Sequence, residues 1–125
     1  MGAAEAAGRL RLDNRLDGGI ALVTVTGEID VSTSALLREH LLRVITDEPR
    51  RGLVVNLAGV SFIDSTGTGV LVGVWHRVRA TDASLALAAP TRQARAILDL
   101  TGLTSVLPVY DTQAQAVQAC RTPAG

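Results

Sequence analysis

The chain has no lysine: all twelve of its cations are arginine, set against twelve carboxylates for a formal net charge of zero. That absence removes the phosphate-cradling lysine of a P-loop, a Schiff-base lysine and any lysine-assisted phosphoryl transfer. Neither sign of charge is clustered, so the basic footprint of a nucleic-acid reader and the basic stripe of a membrane-surface helix are both missing. Aromatics are almost absent as well. Phe62, Trp75 and Tyr110 stand alone, too few for the stacking platform of a single-stranded nucleic-acid binder. One cysteine, Cys120, can form neither an internal disulfide nor a CxxC redox pair, so a reducing, cytoplasmic setting is expected. Cys120 itself reads as a small inward-facing hydrophobe. No stretch approaches the roughly 20 apolar residues of a membrane span, and Met1 to Gly8 lack the charged start and apolar core of a signal peptide.

What is present is 125 residues, 47% of them apolar, enough for one core and no second domain. The expected domain covers 9–120, with flexible ends at 1–8 and 121–125. Residues 9–16 and Ile20 to Thr26 alternate with period two around Asp17-Gly18-Gly19, which reads as a β-hairpin. After Gly27-Glu28-Ile29-Asp30, the run Ser32-Thr33-Ser34 offers N-cap oxygens to a helix over 34–46 that carries Leu37, Leu41, Val44 and Ile45. Asp47-Glu48-Pro49 ends it. Leu53 to Leu57 is a continuous apolar run, as in a strand covered on both faces.

From Thr66 onward, Val70, Leu71, Val74, Trp75 and Val78 share one helical face, while His76, Arg77 and Arg79 lie on the other. Ser84 to Ala89 reads as a strand, and Thr91 caps a helix holding Ala94, Ile97 and Leu98 that stops at Gly102. Ser105 to Tyr110 reads as a last strand. Asp111 then caps a terminal helix with Ala114, Val117 and Cys120 facing inward. The order β-β-α-β-α-β-α-β-α predicts an α/β domain with a mixed sheet: an opening hairpin followed by parallel crossovers.

One segment carries chemistry. The central strand leads through Ala58 to Ile63 into Asp64-Ser65-Thr66-Gly67-Thr68-Gly69 at the start of a helix, where free N–H groups attract anions and acceptors. Ser65 can be a plain N-cap there, with Gly69 and Gly73 letting the helix sit close on the sheet. A nucleophile elbow requires Gly-x-Ser-x-Gly, and Ile63 occupies the first glycine position. Of the two histidines, His76 lies about 15 Å further along the same helix, and His40 reads as a solvated residue among polar neighbours. Gly67-x-Gly69-x-x-x-Gly73 is a partial dinucleotide fingerprint, but the next strand ends Ala88-Ala89-Pro90 without an acidic residue for a ribose. No His, Cys or carboxylate spacing matches a metal site, and no cofactor is expected.

The segment Asn56 to Leu71 resembles the signature of the STAS domain of anti-sigma-factor antagonists. Val25-Thr26-Gly27-Glu28-Ile29-Asp30 with its Ser/Thr-rich continuation resembles that family's first motif, and Leu100-Thr101-Gly102-Leu103 a third. The resemblance implies a bacterial phosphorylation switch that is not an enzyme. Its unmodified form binds an anti-sigma factor that is also a Ser/Thr kinase and so frees a sigma factor; phosphorylation of Ser65 abolishes binding, and a phosphatase restores it. Thr66 and Thr68 replace the commoner serine and leucine, which makes Thr66 a secondary acceptor candidate. The implied partner surface comprises Asp30, Ser32, Thr33, Asp64, Ser65, Thr66, Gly67 and Thr68. No nucleic acid or membrane partner is expected, and a weak homodimer stays open. Two other readings are a constitutive subunit of a transporter-associated or stress-sensing complex and a small nucleotide-binding protein.

Overall fold

The computed structural model describes residues 4–7, 9–47 and 51–121. Six strands form a single sheet whose spatial order is the chain order. The strands are β1 (Ala4–Ala7), β2 (Leu10–Asp17), β3 (Ile20–Ile29), β4 (Gly52–Ile63), β5 (Ser84–Ala88) and β6 (Val109–Tyr110). The helices are α1 (Ser34–Asp47), α2 (Ser65–Arg79), α3 (Arg92–Leu100) and α4 (Gln113–Arg121). β1, β2 and β3 pair antiparallel, and β3 through β6 pair parallel. This is the expected mixed sheet with one strand added: residues 4–7, read as part of a flexible end, form the edge strand β1. The remaining terminal residues, 1–3, 8 and 122–125, and the Glu48-Pro49 stop signal lie outside the described residues.

The sheet is covered on both faces, which explains the unbroken apolar runs in its centre. Ala21, Val23, Val25, Leu53, Val55, Leu57, Leu85 and Leu87 face a core shared with α1, α2 and α3. Ile20, Leu22, Val54, Ala86 and Ala88 face Ala116, Val117 and Cys120 of α4. Burial raises the pKa of the Cys120 thiol by desolvation, which keeps it protonated.

Four expectations change in detail. Ser105 to Tyr110 is not one strand: a 3-10 turn occupies Leu103–Ser105, Leu107 is buried as a side chain, and only Val109–Tyr110 pairs with β5. Pro108, which has no N–H, stands immediately before the pairing. The cap of α4 is Thr112, not Asp111. Gln115 N–H donates to Thr112 Oγ1 at 3.1 Å and Thr112 N–H to Gln115 Oε1 at 3.2 Å, a reciprocal capping box, while Asp111 pairs with Arg95. Ala114 is exposed and Ala116 takes its place inside. His40 is buried on the inner face of α1 against Asn14 of β2.

Candidate functional site

β4 runs to Ile63, six residues beyond the expected strand, because β3 extends beside it as far as the Ile29–Ile63 pair. The carboxyl ends of these two parallel strands therefore finish level, and each feeds a helix. Asp64 N–H donates to Ile29 O at 3.2 Å, tying the two exits together. The loop that begins at Asp30 and the turn that begins at Asp64 thus lie side by side at the carboxyl end of the sheet.

At the β4 exit the cap of α2 is Asp64, not Ser65. Asp64 has extended backbone, and its Oδ1 accepts the Gly67 N–H at 3.1 Å. Ser65 is consequently the first residue of the helix and exposed, and its hydroxyl makes no hydrogen bond to any of the described residues. Thr66 is exposed next to it. Thr68 differs: only 3% of its surface is accessible, and its hydroxyl donates to Ser65 O at 2.9 Å. Of the three neighbouring hydroxyls, two can be reached by another protein and the third is a structural brace.

Gly67, not Gly69 or Gly73, is the close-approach glycine. A Cβ on Gly67 would lie 2.6 Å from Ile29 Cγ2 and 2.7 Å from Ile63 Cγ1, whereas Cβ atoms on Gly69 and Gly73 would meet nothing within 4 Å. The spacing of Gly69 and Gly73 suggested close packing, but they fall away from the sheet. Gly67→Ala is expected to cost about 1–3 kcal/mol by overpacking, while Gly69→Ala gains up to about 1 kcal/mol of helix propensity. Urea melts of the two variants beside the parent chain check the contrast in sign.

At the β3 exit, Asp30 is the hub. Its Oδ1 accepts from Ser32 N–H at 2.9 Å and from Ser32 Oγ at 2.7 Å, and its Oδ2 takes Nη2 of Arg9. Arg9 also reaches Glu28 at 3.0 Å. Thr33 is buried; its hydroxyl donates to Glu28 O and accepts the Asp30 N–H. Thr33, Gly67 and Thr68, expected on the partner surface, are therefore buried parts of the two turns; of the other residues expected there, Ser32, Ser65 and Thr66 are exposed and Asp30 and Asp64 are half-buried.

The Asp30 carboxyl is lowered to about 2, first by the Ser32 hydroxyl, then by the Ser32 N–H and Arg9, with desolvation opposing them. A depressed carboxylate pKa means that the loop's interaction is complete above the unfolded value and is lost only as pH falls through the folded one. Asp30 is therefore fully ionised at any physiological pH. An NMR titration of its side-chain carbon is expected to show a midpoint near 2, moving toward the ordinary 3.8 in Ser32→Ala.

Two large apolar side chains are exposed at these strand ends: Val31, 78% exposed, between Asp30 and Ser32, and Phe62, 40% exposed, at the end of β4. Sequence reasoning missed both, and missed Arg9. The only available signals were an apolar residue inside a polar loop motif and an aromatic two residues before Asp64. Among the described residues no His, Cys, Asp and Glu group could hold a metal ion, and no helix is long and apolar enough to cross a membrane.

The sequence model of the STAS domain family matches residues 11–116. An anti-sigma-B factor antagonist of Bacillus subtilis is 36% identical over 87 residues, 70% of this chain and 78% of the relative. An anti-sigma F factor antagonist of Paenibacillus polymyxa is 26% identical over 108 residues, 86% of this chain and 92% of the relative. The crystal structure of an anti-sigma factor antagonist from Mycobacterium paratuberculosis matches with a TM-score of 0.84 at 27% identity, covering 90% of this chain and 95% of the other.

Proposed function

The chain belongs to the STAS domain family, and from that premise we propose that it is a cytoplasmic anti-sigma factor antagonist switched by phosphorylation of Ser65. In its unmodified form it binds an anti-sigma factor through the paired exits of β3 and β4, and the sigma factor is set free. The anti-sigma factor is also the kinase: it transfers the γ-phosphoryl group of ATP to Ser65 Oγ, the hydroxyl proton leaves, and ADP is released. A phosphatase hydrolyses the phosphoserine and resets the switch. The chain itself is a binding protein and catalyses nothing.

The observation that carries this reading is the exposed, unbonded hydroxyl of Ser65 on the first residue of α2, with the capping work done by Asp64. A phosphate there adds about −1.5 to −2 charges. The helix N-terminus tolerates that charge, because its unpaired N–H groups and dipole favour an anion. The fold is left intact while the surface changes. Asp30, held ionised and paired with Arg9, and Asp64 already set carboxyl groups at these two turns, so a partner shaped to the neutral hydroxyl meets an added negative charge beside them. Val31 and Phe62 supply the apolar contact that such an interface places at its core.

The test is capture from host lysate with the parent chain, Ser65→Ala and Ser65→Asp, with intact-mass analysis of bound and free protein. Retention of an ATP-binding kinase by the parent chain and the alanine variant, its loss from the aspartate variant, and one phosphate mapped to Ser65 are the expected results. The same partner recovered by all three, with no phosphate on any, would overturn the switch and leave a constitutive subunit.

A further inference from the structure

β4 outruns its neighbour. On the β5 side the register ends at the Asn56–Ala88 pair, seven residues before β4 does. The N–H and C=O of a strand residue point to the same side, so in this half of β4 alternate peptides are left facing a missing strand. At Ile63 that vacancy is filled by one side chain. Ile63 N–H donates to Gln93 Oε1 at 3.0 Å, and Gln93 Nε2 donates to Ile63 O at 2.9 Å. The carboxamide offers one acceptor and one donor in the arrangement a neighbouring strand would have used.

The approach of Gln93 is itself built in. Ala89 takes a left-handed conformation, φ 53°, just after β5, where a residue with a Cβ is strained. This turns the chain off the sheet edge through Pro90. Thr91 then caps α3 by accepting Ala94 N–H, and its hydroxyl donates to Val60 O at 3.0 Å. The first turn of α3 is thus fastened to β4 at two places, Val60 and Ile63, and the second adjoins Asp64-Ser65 directly.

We propose that Gln93 is the positioning residue of the Ser65 turn: its side-chain amide stands in for the absent strand, holds the Ile63 peptide, and so fixes the direction in which α2 starts and the Ser65 hydroxyl is offered. This inference deepens the switch reading and rests on it. Gln93 touches neither the hydroxyl nor a partner; it acts through Ile63.

Two variants of equal length separate positioning from packing. Gln93→Met fills the same space and forms neither hydrogen bond. Gln93→Glu keeps the shape and still accepts the Ile63 N–H, but it sets a carboxylate oxygen against Ile63 O where the amide had donated. Amide hydrogen exchange is read by NMR on the full chain, and Ser65 phosphorylation is read with ATP and the kinase captured by the parent chain. Exchange at Ile63 is expected to be about tenfold or more faster in the methionine variant, equivalent to about 1.4 kcal/mol of lost local protection. The glutamate variant should stay closer to the parent, and Ser65 phosphorylation should fall in the same order. A purely packing role predicts that both variants, which fill the same space, stay near the parent. Equal Ile63 exchange in all three chains, with normal phosphorylation, would overturn the role of Gln93 alone. A parent chain that accepts no phosphate would overturn the switch reading on which the proposal rests.

Discussion

Ser65→Asp is expected to weaken anti-sigma factor binding by about 100-fold or more, while the variant melts at the temperature of the parent chain or slightly above it. The two halves of that result have separate causes. An unpaired charge buried at an interface costs about 3–5 kcal/mol, and each 1.4 kcal/mol is tenfold in affinity. The introduced carboxylate would also share a small patch with Asp30 and Asp64, both already committed to their own turns. In the isolated chain the same carboxylate stands on the first residue of α2, where a negative charge contributes about 0.3–1 kcal/mol through the helix dipole. Ser65→Ala loses at most one hydroxyl contact, about 0.5–1.5 kcal/mol, and should bind within roughly tenfold of the parent. Isothermal titration with the captured anti-sigma factor, beside a thermal melt of each free variant, reads both quantities. Equal affinity in all three chains would mean that the partner docks elsewhere on the sheet.

The largest effect on stability is expected from Gly27→Ala, at about 2–6 kcal/mol and a fall in melting temperature of about 8–24 °C. Gly27 has φ 114°, a conformation that residues with a Cβ rarely adopt, and a Cβ placed there would lie 1.7 Å from the carbonyl oxygen of Arg9. That carbonyl is backbone and cannot swing away, since it accepts the Glu28 N–H at 3.1 Å. Strain and overpacking each cost about 1–3 kcal/mol, and at Gly27 they add. Gly102→Ala is the control. Its φ is 78°, but a Cβ there would meet nothing within 4 Å, so it carries the strain without the clash. Gly27→Ala melting no lower than Gly102→Ala would show that the β2–β3 edge can open at little cost. The Gly27 variant should also loosen the Asp30 loop, because the backbone that would be pushed aside belongs to Arg9, whose side chain holds Asp30 and Glu28.

The parts of this fold legible in the sequence are those where one force acts alone. Leu53 to Leu57 reads as a buried strand because both faces of the sheet are covered and every side chain but Asn56 is apolar. α2 reads as a helix because one stripe is apolar and the other carries His76, Arg77 and Arg79. The second half of β4 was not legible. Ala58 to Ile63 has a paired strand on one side only, and what completes the other is a glutamine thirty residues later, which no local pattern announces. His40 misled for a related reason: the two residues before it, Arg38 and Glu39, are polar, while Leu37 and Leu41 put it on the inner face.

At the site, the motifs bring Asp30 and Ser65 forward, but the level exits of β3 and β4 depend on the unread second half of β4. The division of labour inside the motif is not legible either. That Asp64 caps, Gly67 docks and Thr68 braces depends on atoms of Ile29 and Ile63, which only the assembled sheet brings within reach.

Because spatial strand order repeats chain order from β1 to β6, each new strand emerging during synthesis has its neighbour already in place. The sheet can grow at one edge, with no strand inserted later between two others, and this keeps the pairings as local as parallel crossovers permit. The Ser65 turn is the exception to that sequential growth. Its residues appear by position 68, but the amide that secures Ile63 belongs to residue 93 and arrives only after the rest of α2 and all of β5. A ribosome-bound chain therefore carries Ser65 for some time before the side chain that holds Ile63 has been made.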